Sequence, residues 1–442
     1  MRPDPDPTLP WPQYAQALTD PAHVREYPEA LDDLLVLDCS EANFAGLFAS
    51  SILAEFGATV IRMEPPGGDV ARGLSPEGLL HRGTGLAYLV EGRNKHHITL
   101  NLETAEGRLL LRRLAAKADV LIETSRPGLM DARGLGYRQL RQLNPRLVYV
   151  AISTYGQFGP RAPSPIPDHD LTSQALSGVP YTTGEPEGPD GPQPHAVPTR
   201  QGSWAGWYIG GAWAAFAALA ALAWRATSGQ GQFCDVSPAE GEMRMTDYGV
   251  HWYHSHQQVW ERTGAFNISV FPYTLIKTRD GYSFIAGFSD VNWTGLTNIM
   301  GRPDLKGRFP TVRDRTAAAK QPEIHRELEA WSADLTSQEV LERVMDYMLQ
   351  KRGPGTVATA RVNSPEDTLG EDHWWERGVF RRVEDADYGT LLLQMPPWKM
   401  SRTPPRLKWA CRPVGADNAA VYARYLGLSP SELTALFARG AI

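Results

Sequence analysis

The stretch that decides the fold is residues 198–224, PTRQGSWAGWYIGGAWAAFAALAALAW. No charged residue stands from Trp204 to Trp224, and a run of about 20 uncharged residues has the length of a membrane span. The composition argues against a span, because Ala and Gly dominate and few side chains favour hydrocarbon. Arg225 follows at once. We therefore predict a buried helix of a soluble protein, whose small residues let other helices approach closely.

Short apolar runs that alternate with helical patterns predict a parallel sheet. The predicted strands are 34–38, 59–64, 120–122 and 147–152. Helical spacing of apolar residues ends at Gly57, which suits a left-handed cap, and Thr104 can cap a second helix. Such β-α-β units give parallel strands, so we predict a Rossmann-like domain. No G-x-G-x-x-G follows the first strand, which disfavours dinucleotide binding.

Composition and charge indicate a globular, cytoplasmic protein. Of the 442 residues, 21% are charged and 42% are hydrophobic. The net charge of −6 gives no general attraction for nucleic acid or an anionic membrane, so an anionic ligand needs a local basic patch. The three cysteines lie far apart, which fits a reducing compartment, and the acidic, Pro-rich N-terminus has no apolar signal core.

Local patterns divide the chain into four parts. Residues 1–32 form an extension that either wraps a partner or is a loosely packed arm, and 33–240 begin the large Rossmann-like domain. Residues 241–355 form a smaller α+β domain, with a hairpin around Asp280-Gly281, and 356–442 form the last part. No metal site is predicted, because His251, His254 and His256 lack the i, i+4 spacing of zinc helices.

Long segments in one order carry a family resemblance. They include VLDCSEANFAGLFASSILAEFGATVIRMEPPGGD at 36–69, GRNKHHITLNLETAEGR at 92–108, ADVLIETSRPGLMDARGLGY at 118–137, DHDLTSQALSG at 168–178 and LGLSPSELTALFARGAI at 426–442. The chain resembles the class III CoA-transferases, the carnitine/formyl-CoA transferase family. The resemblance implies an α/β fold: a Rossmann-like large domain with a parallel sheet, a smaller α+β domain, and an interlocked dimer of ring-shaped subunits. It also implies that residues 356–442 are a return segment that completes the large domain.

Two adjacent positions depart from the family pattern, P-T-x-x-G-x-x-x-A-D-x-x-x-G-x-x-A-A, because its Ala falls on Gly206 and its Asp on the next residue. The stretch that begins at Pro198 aligns with it without gaps, and the family's Asp falls on Trp207. In the family that Asp carries the acyl group as a mixed anhydride and then forms an enzyme-bound CoA thioester. An indole cannot be acylated by a thioester, so the resemblance implies the family's fold without its nucleophile.

Two neighbouring residues are the weak catalytic candidates that remain. His169 and Asp170 stand where the family has Gly-Tyr-Asp or Gly-His-Asp. The related acyl-CoA racemases use a His there as one of two bases, and the other base aligns with Trp207. This chain therefore keeps only one of the two bases that racemase chemistry needs. Asp170 is a carboxylate that can in principle act as a nucleophile.

Four cations are the residues from which contact with CoA is expected. They are Arg93, Lys95, Arg126 and Arg133. The family usually has a basic residue where Ala132 stands, and Arg133 follows one position late. The alternative is that these cations are ordinary solvated surface charges.

The resemblance and Trp207 together predict the non-nucleophilic, structural subunit of a heteromeric CoA-transferase. A homologous partner would carry the Asp, and this chain alone is expected to be inactive. The expected substrates are an acyl-CoA such as succinyl-CoA and a carboxylic acid, here benzylsuccinate from toluene degradation. No permanently bound cofactor is expected, and neither nucleic acid nor a membrane. The alternatives are an active homodimer that uses Asp170, a CoA-binding regulatory protein and an acyl-CoA racemase.

Overall fold

The protein is described by a computed structural model, which covers residues 4–186, 197–246, 249–267, 269–350 and 352–442. The chain divides into two units. The larger comprises Met1–Val179, Arg200–Val250 and Asp372–Ile442, and the smaller comprises Pro180–Thr199 and His251–Glu371. These limits differ from the sequence-based ones at 240/241 and 355/356. One reason is that strand Ala358–Arg361 pairs within the smaller unit.

The strands form a central parallel sheet and three small antiparallel ones. In chain order they are β1 Leu35–Cys39, β2 Thr59–Glu64, β3 Leu80–His81, β4 Thr84–Gly85, β5 Lys95–Thr99, β6 Val120–Glu123, β7 Val148–Ile152, β8 Phe233–Val236, β9 Tyr273–Thr278, β10 Gly281–Ala286, β11 Ala358–Arg361, β12 Phe380–Asp385 and β13 Gly389–Gln394. The central sheet has the order β5-β2-β1-β6-β7-β8, and every pairing in it is parallel. The predicted α/β fold with a parallel sheet is confirmed, and the order reverses between β1 and β6.

Helices connect these strands. They are α1 Trp11–Thr19, α2 Phe44–Glu55, α3 Leu86–Glu91, α4 Ala105–Ala115, α5 Leu129–Ala132, α6 Tyr137–Leu143, α7 Asp170–Ser177, α8 Val179–Thr182, α9 Ala205–Ser228, α10 Pro238–Met245, α11 Gly249–His256, α12 Asp290–Ile299, α13 Asp304–Arg308, α14 Val312–Thr316, α15 Gln321–Ser332, α16 Ser337–Leu349, α17 Pro365–Gly370, α18 Asp372–Glu376, α19 Asn418–Leu426 and α20 Pro430–Ala438, with short 3-10 turns at Pro21–Glu26, Val70–Gly73 and Pro76–Gly78. The predicted caps are confirmed, because the Thr104 side chain accepts from the Gly107 N–H and Gly57 has a φ of 115°.

Helix α9 packs in the core of the larger unit through its small residues. A Cβ at Gly211 would lie 2.5 Å from the Ala45 carbonyl oxygen of α2, and one at Gly210 would lie 2.6 Å from Pro238 Cγ of α10. By length and composition α9 passes the test for a membrane span, and it is the single helix of the described residues that does. Its close packing on α2 and α10 is that of a core helix, as predicted.

The opposite face of α9 is exposed, which the sequence reading as a buried helix did not anticipate. Trp213, Phe216 and Trp224 are 38%, 65% and 58% exposed. The rings of Trp213 and Phe216 meet edge to face, with centroids 6.1 Å apart. This apolar face, hereafter the α9 outer face, is open to solvent except where Trp213 lies against the buried Gly241 of α10.

The smaller unit has its own core. Strands β9 and β10 form the hairpin predicted at Asp280-Gly281, and β11 pairs with β10 on the other side. Helices α12, α15 and α16 pack beside the three-stranded sheet, and Thr336 begins α16 with the predicted capping box. The predicted α+β character of this part is therefore present.

The N-terminal extension packs on the return segment of its own unit. Gly378 has a φ of 61°, and a Cβ there would lie 2.7 Å from Pro21 Cγ, so glycine permits this close approach. Arg406 Nη2 donates to the Tyr27 carbonyl at 2.7 Å, and Arg402 pairs with Asp4 at 2.7 Å. These contacts attach residues 4–32 to their own unit, and both alternatives, a loosely packed arm and a segment that wraps a partner, remain predictions.

Candidate functional site

A cavity of about 710 Å³ opens beside the first turn of α9. Its lining residues are Ala42, Val70, Leu74, Pro76, His169, Asp170, Leu171, Arg200, Ser203, Trp204 and Trp207. Two indoles and aliphatic side chains make most of the wall, and Arg200 supplies a cation. This cavity, the Trp207 cavity, brings together all three residues considered for catalysis, His169, Asp170 and Trp207.

Asp170 begins α7 and also accepts hydrogen bonds from the start of α9. The Trp207 N–H donates to Asp170 Oδ1 at 2.9 Å, and Gln174 Nε2 donates to Oδ2 at 2.7 Å. Burial raises the pKa of Asp170, although N–H donors from Trp207, Gln174 and Gly206 partly offset that effect. A carboxylate at this place satisfies N–H groups that the first turn of α9 leaves without helical partners.

Trp207 is buried although it borders the cavity. Its side chain is 3% exposed, and its ring lies 6.0 Å from that of Phe44, which in turn lies 4.6 Å from Trp204. The indole Nε1 has no hydrogen-bond partner among the described residues. A buried N–H without a partner is costly, and a hydrogen-bond acceptor in the cavity would relieve that cost.

Glu242 of α10 is a further acid beside this site, and the sequence reading missed it. It is fully buried, and neither carboxyl oxygen has a hydrogen-bond partner among the described residues. A Cβ at Gly206 would lie 3.1 Å from Glu242 Oε1 and 3.2 Å from Asp170 Oδ1, so both carboxyls adjoin one backbone position. Burial, together with the charge of Asp170, raises the pKa of Glu242 to about 7.

A sequence signal for Glu242 existed. Ser237 caps α10 and Pro238 is its first residue. Glu242 follows Pro238 by four residues and therefore shares its face, which is the buried one. An acid at that spacing on an otherwise apolar face indicates a buried carboxyl.

A buried ionic network holds the opposite wall of the cavity. Arg62 of β2 pairs with Asp38 at 2.9 Å and also with Asp69, and all three side chains are fully buried. Asp69 Oδ1 in turn accepts from the Ala42 N–H at 3.0 Å and from the Ala71 N–H at 2.8 Å. The network therefore fixes the two backbone segments that carry Ala42 and Val70 into the cavity wall.

A second cavity, of about 310 Å³, lies at the carboxyl ends of β1, β6 and β7. In open α/β sheets ligands bind at this point, where the strand order reverses. Arg126 lines this switch-point cavity, is exposed, and has no ion-pair partner among the described residues. Ala42 borders both this cavity and the Trp207 cavity.

The other three predicted CoA contacts have protein partners. Arg93 and Lys95 are buried: Arg93 pairs with Glu55 at 3.5 Å, and Lys95 Nζ donates to the Leu47 carbonyl at 2.6 Å. Arg133 pairs with the exposed Glu103. The expectation of phosphate contact by this chain therefore rests mainly on Arg126.

No metal site is apparent where the structure describes the chain, because no three His, Cys, Asp or Glu side chains there are grouped to hold an ion. His251, His254 and His256 are all exposed on α11. Trp252 stacks on His256, with ring centroids 4.4 Å apart.

Comparisons to known proteins agree with the fold. The model of CoA-transferase family III matches residues 31–418, and the chain belongs to that family. It is similar to the succinyl-CoA–D-citramalate CoA-transferase of Chloroflexus aurantiacus, with 32% identity over 94% of this chain and 98% of the relative. It is also similar to the beta subunit of the succinyl-CoA–L-malate CoA-transferase of the same organism, with 30% identity over 93% and 98%.

A solved structure supports the same assignment. The crystal structure of a CAIB/BAIF family protein from Brucella suis superposes with a TM-score of 0.76 and 26% identity, covering 90% of this chain and all of that one. Enzymes of this family take CoA thioesters as substrates and keep no permanent cofactor. Residues 4–30 precede the segment that the family model matches.

Proposed function

We propose that this chain is the non-nucleophilic subunit of a heteromeric CoA-transferase that uses succinyl-CoA. The observation that carries the proposal is Trp207, whose buried indole lies at the start of α9, where the family pattern predicts the nucleophilic Asp. Its backbone N–H is bound to Asp170, so the surrounding helix start is ordered without a carboxylate at 207. A homologous subunit would supply the missing Asp.

The partner's Asp would perform the covalent chemistry. Its carboxylate attacks the succinyl-CoA carbonyl carbon and expels the CoA thiolate, which leaves a mixed anhydride. The thiolate then attacks the enzyme side of the anhydride, which releases succinate and forms an enzyme thioester. The acceptor carboxylate attacks that thioester, and the returning thiolate attacks the new anhydride to give product thioester and free Asp. Splitting one exchange in this way lowers each barrier.

The α9 outer face supports a partner. Three large exposed apolar side chains on one helix are typical of an interface, and the beta-subunit name of one relative indicates that heteromers occur among similar chains. We propose that the partner subunit covers this face in an interlocked dimer of ring-shaped subunits. We place the complex in the cytoplasm, because the three cysteines are free.

The acceptor is proposed to be a dicarboxylic acid with an apolar body, for which benzylsuccinate is our specific choice. Two similar enzymes are named for the dicarboxylic acids citramalate and malate. The Trp207 cavity adds two indoles and Arg200, which suit a phenyl group and a carboxylate. The CoA portion would enter past Arg126, because the switch-point cavity and the Trp207 cavity share Ala42.

The test is to assay the purified chain with and without a homologous subunit that carries the Asp. Succinyl-CoA is the donor, and benzylsuccinate, citramalate and malate are compared as acceptors. We expect no transfer by this chain alone and transfer by the pair, with hydroxylamine trapping the acyl group on the partner peptide. Transfer at an ordinary rate by the chain alone would refute the subunit role. Failure of benzylsuccinate alone would refute only the choice of acceptor.

A homodimer that uses Asp170 is the second candidate, because Asp170 is the one acid among the described residues that line the Trp207 cavity. Against it, both oxygens of Asp170 already accept N–H groups, whereas a nucleophile needs a free oxygen. Borohydride trapping with succinyl-CoA followed by peptide mapping separates the two candidates. Label on the peptide that contains Asp170, absent in Asp170→Asn, would establish this second candidate.

A further inference from the structure

A cavity of about 260 Å³ lies between the N-terminal extension and the return segment of the larger unit. Three parts of the chain build it: the end of α1 with the turn Pro21–Glu26, the outer ends of β12 and β13, and the segment 396–406. It shares no lining residue with the Trp207 cavity. We call it the extension cavity.

Cations line the extension cavity, and no carboxylate does. The cations are Arg25, Arg381, Lys399 and Arg406. Arg25, Arg381 and Lys399 form no ion pair with any described residue, whereas Arg406 lies 3.8 Å from Glu29. Cations brought together in this way repel each other unless an anion lies among them.

Lys399 shows this imbalance most directly. It is half-buried, and the Pro396 carbonyl, at 3.5 Å, is the one acceptor that its ammonium has among the described residues. Burial and the neighbouring Arg377 both lower the pKa of Lys399, and no carboxylate offsets them. A bound anion would supply the missing countercharge.

The remaining wall is apolar and aromatic. Phe380, Met395, Trp398 and several prolines face the cavity, and Trp398 is held by Phe56 with ring centroids 5.4 Å apart. An inorganic anion would leave this wall without a partner, whereas an organic acid with an apolar body would contact both parts. Four cations favour more than one carboxylate.

We infer that the extension cavity binds an organic dicarboxylate with an apolar body, at a site separate from the Trp207 cavity. Part of the wall, from Thr19 to Arg25, lies before residue 31, where the match to the family model begins. The site is thus built partly by a segment outside the matched region. A ligand that contacts both the extension and the return segment stabilises their association by mass action.

The inference is tested by calorimetry and thermal unfolding of the full chain with three probes: benzylsuccinate, succinate and inorganic phosphate. We expect benzylsuccinate to bind more tightly than succinate, which lacks the apolar body, and more tightly than phosphate. Lys399→Met should weaken benzylsuccinate binding about 10-fold or more, because a charge-assisted contact is lost. The comparison is made in the Arg200→Met background, which removes the cation proposed to bind an acceptor in the Trp207 cavity, so that the benzylsuccinate binding that remains reports on the extension cavity.

Every other outcome overturns the inference. In the Arg200→Met background, unchanged binding on adding Lys399→Met, loss of all benzylsuccinate binding before Lys399 is changed, equal binding of phosphate, or no binding of any probe would each refute it. Lys399→Met should melt no lower than the unaltered chain without ligand, because it removes an unpaired, half-buried charge. Should it fold poorly, Arg381→Met on the exposed side of β12 gives the same test.

Discussion

Two groups of buried charged side chains in the larger unit differ in how completely their atoms are paired. Arg62 contacts Asp38 and Asp69, and Lys95 adds a second cation 3.5 Å from Asp38. Burial alone would raise the pKa of Asp38, yet the charges of Arg62 and Lys95 hold it below its ordinary value. Glu242, by contrast, is fully buried, and neither of its carboxyl oxygens has a hydrogen-bond partner within the described part of the chain.

This difference in pairing distinguishes buried charges that support the fold from buried charges that border the candidate site. Charges that only hold backbone segments in place are balanced within the protein, because an unbalanced buried charge costs several kcal/mol. Near the start of α9, Glu242 and the Trp207 Nε1 both lack hydrogen-bond partners among the described residues, and Asp170 and Trp207 both line the Trp207 cavity. Perturbed and unpaired groups around a cavity are typical of functional sites.

Removing Arg62, the central cation of the paired buried group, should change the free energy of unfolding most. Arg62→Met leaves Asp38 and Asp69 buried with reduced compensation, and we expect a loss of about 3–5 kcal/mol in the free energy of unfolding. Urea denaturation followed by circular dichroism measures it. A loss below about 1 kcal/mol would mean that the network is not the support described here.

Neutralising the unpaired acid, Glu242, should raise the free energy of unfolding instead of lowering it. Glu242→Gln is expected to stabilise the chain by about 1–3 kcal/mol at pH 8, because the buried carboxylate no longer has to be ionised. The folded pKa of about 7 lies above the unfolded value near 4.5, so the folded state holds a proton that the unfolded state releases. The stability that this proton provides is present below pH 4.5 and is lost as the pH rises through 7.

The pH dependence gives this prediction its control. Glu55 and Glu123 also have pKa values raised to about 7, mainly by burial. They change the free energy of unfolding with pH by the same amount in the unaltered chain and in Glu242→Gln. The difference between the two unfolding curves should vanish near pH 4.5 and grow up to about pH 8. A difference that is constant over this range would contradict the raised pKa of Glu242.

A smaller loss of stability is expected when Asp170 is changed. Asp170→Asn keeps an oxygen for the Trp207 N–H but removes the charge that favours the N-terminus of α9, so we expect about 1 kcal/mol of destabilisation. Thermal unfolding at neutral pH measures it. Asp168→Asn, on the residue two positions earlier, tests whether any neighbouring acid has the same effect.

The smallest effect is expected at an exposed pair. Arg138 pairs with Asp131, and the Arg138 side chain is 79% exposed. Arg138→Ala should leave the melting temperature unchanged within error, because solvent and salt screen such pairs. A drop comparable to that of Arg62→Met would remove the distinction drawn between the buried and exposed charges.

Much of the fold could be predicted from the sequence, because its signals are local. The capping boxes at Thr336 and Ser429, the Gly57 cap and the hairpin at Asp280-Gly281 each need only a few neighbouring residues. The alternation of apolar runs and helical patterns then implied the parallel sheet.

The candidate site was harder to predict from the sequence, because burial of a polar residue depends on partners that are distant along the chain. Arg93 and Lys95 have the composition of a basic surface patch, yet Gln394 and Leu47 provide the carbonyls that hold them inside. Glu242 and Asp170 both lie beside Gly206 of α9, and no sequence signal beyond helical spacing indicates this. The exposed Trp213, Phe216 and Trp224 could not be distinguished from core residues by composition.

The larger unit is built from both ends of the chain, and this sets an order of assembly during synthesis. Val421, Tyr422 and Leu436 fill one side of its core, and the extension rests on residues 378–406. The nascent sheet therefore keeps an open apolar side until the last helices leave the ribosome, whereas the smaller unit has most of its core by residue 357. If the proposed interlocked dimer forms, that interval is when a second subunit would thread through this chain.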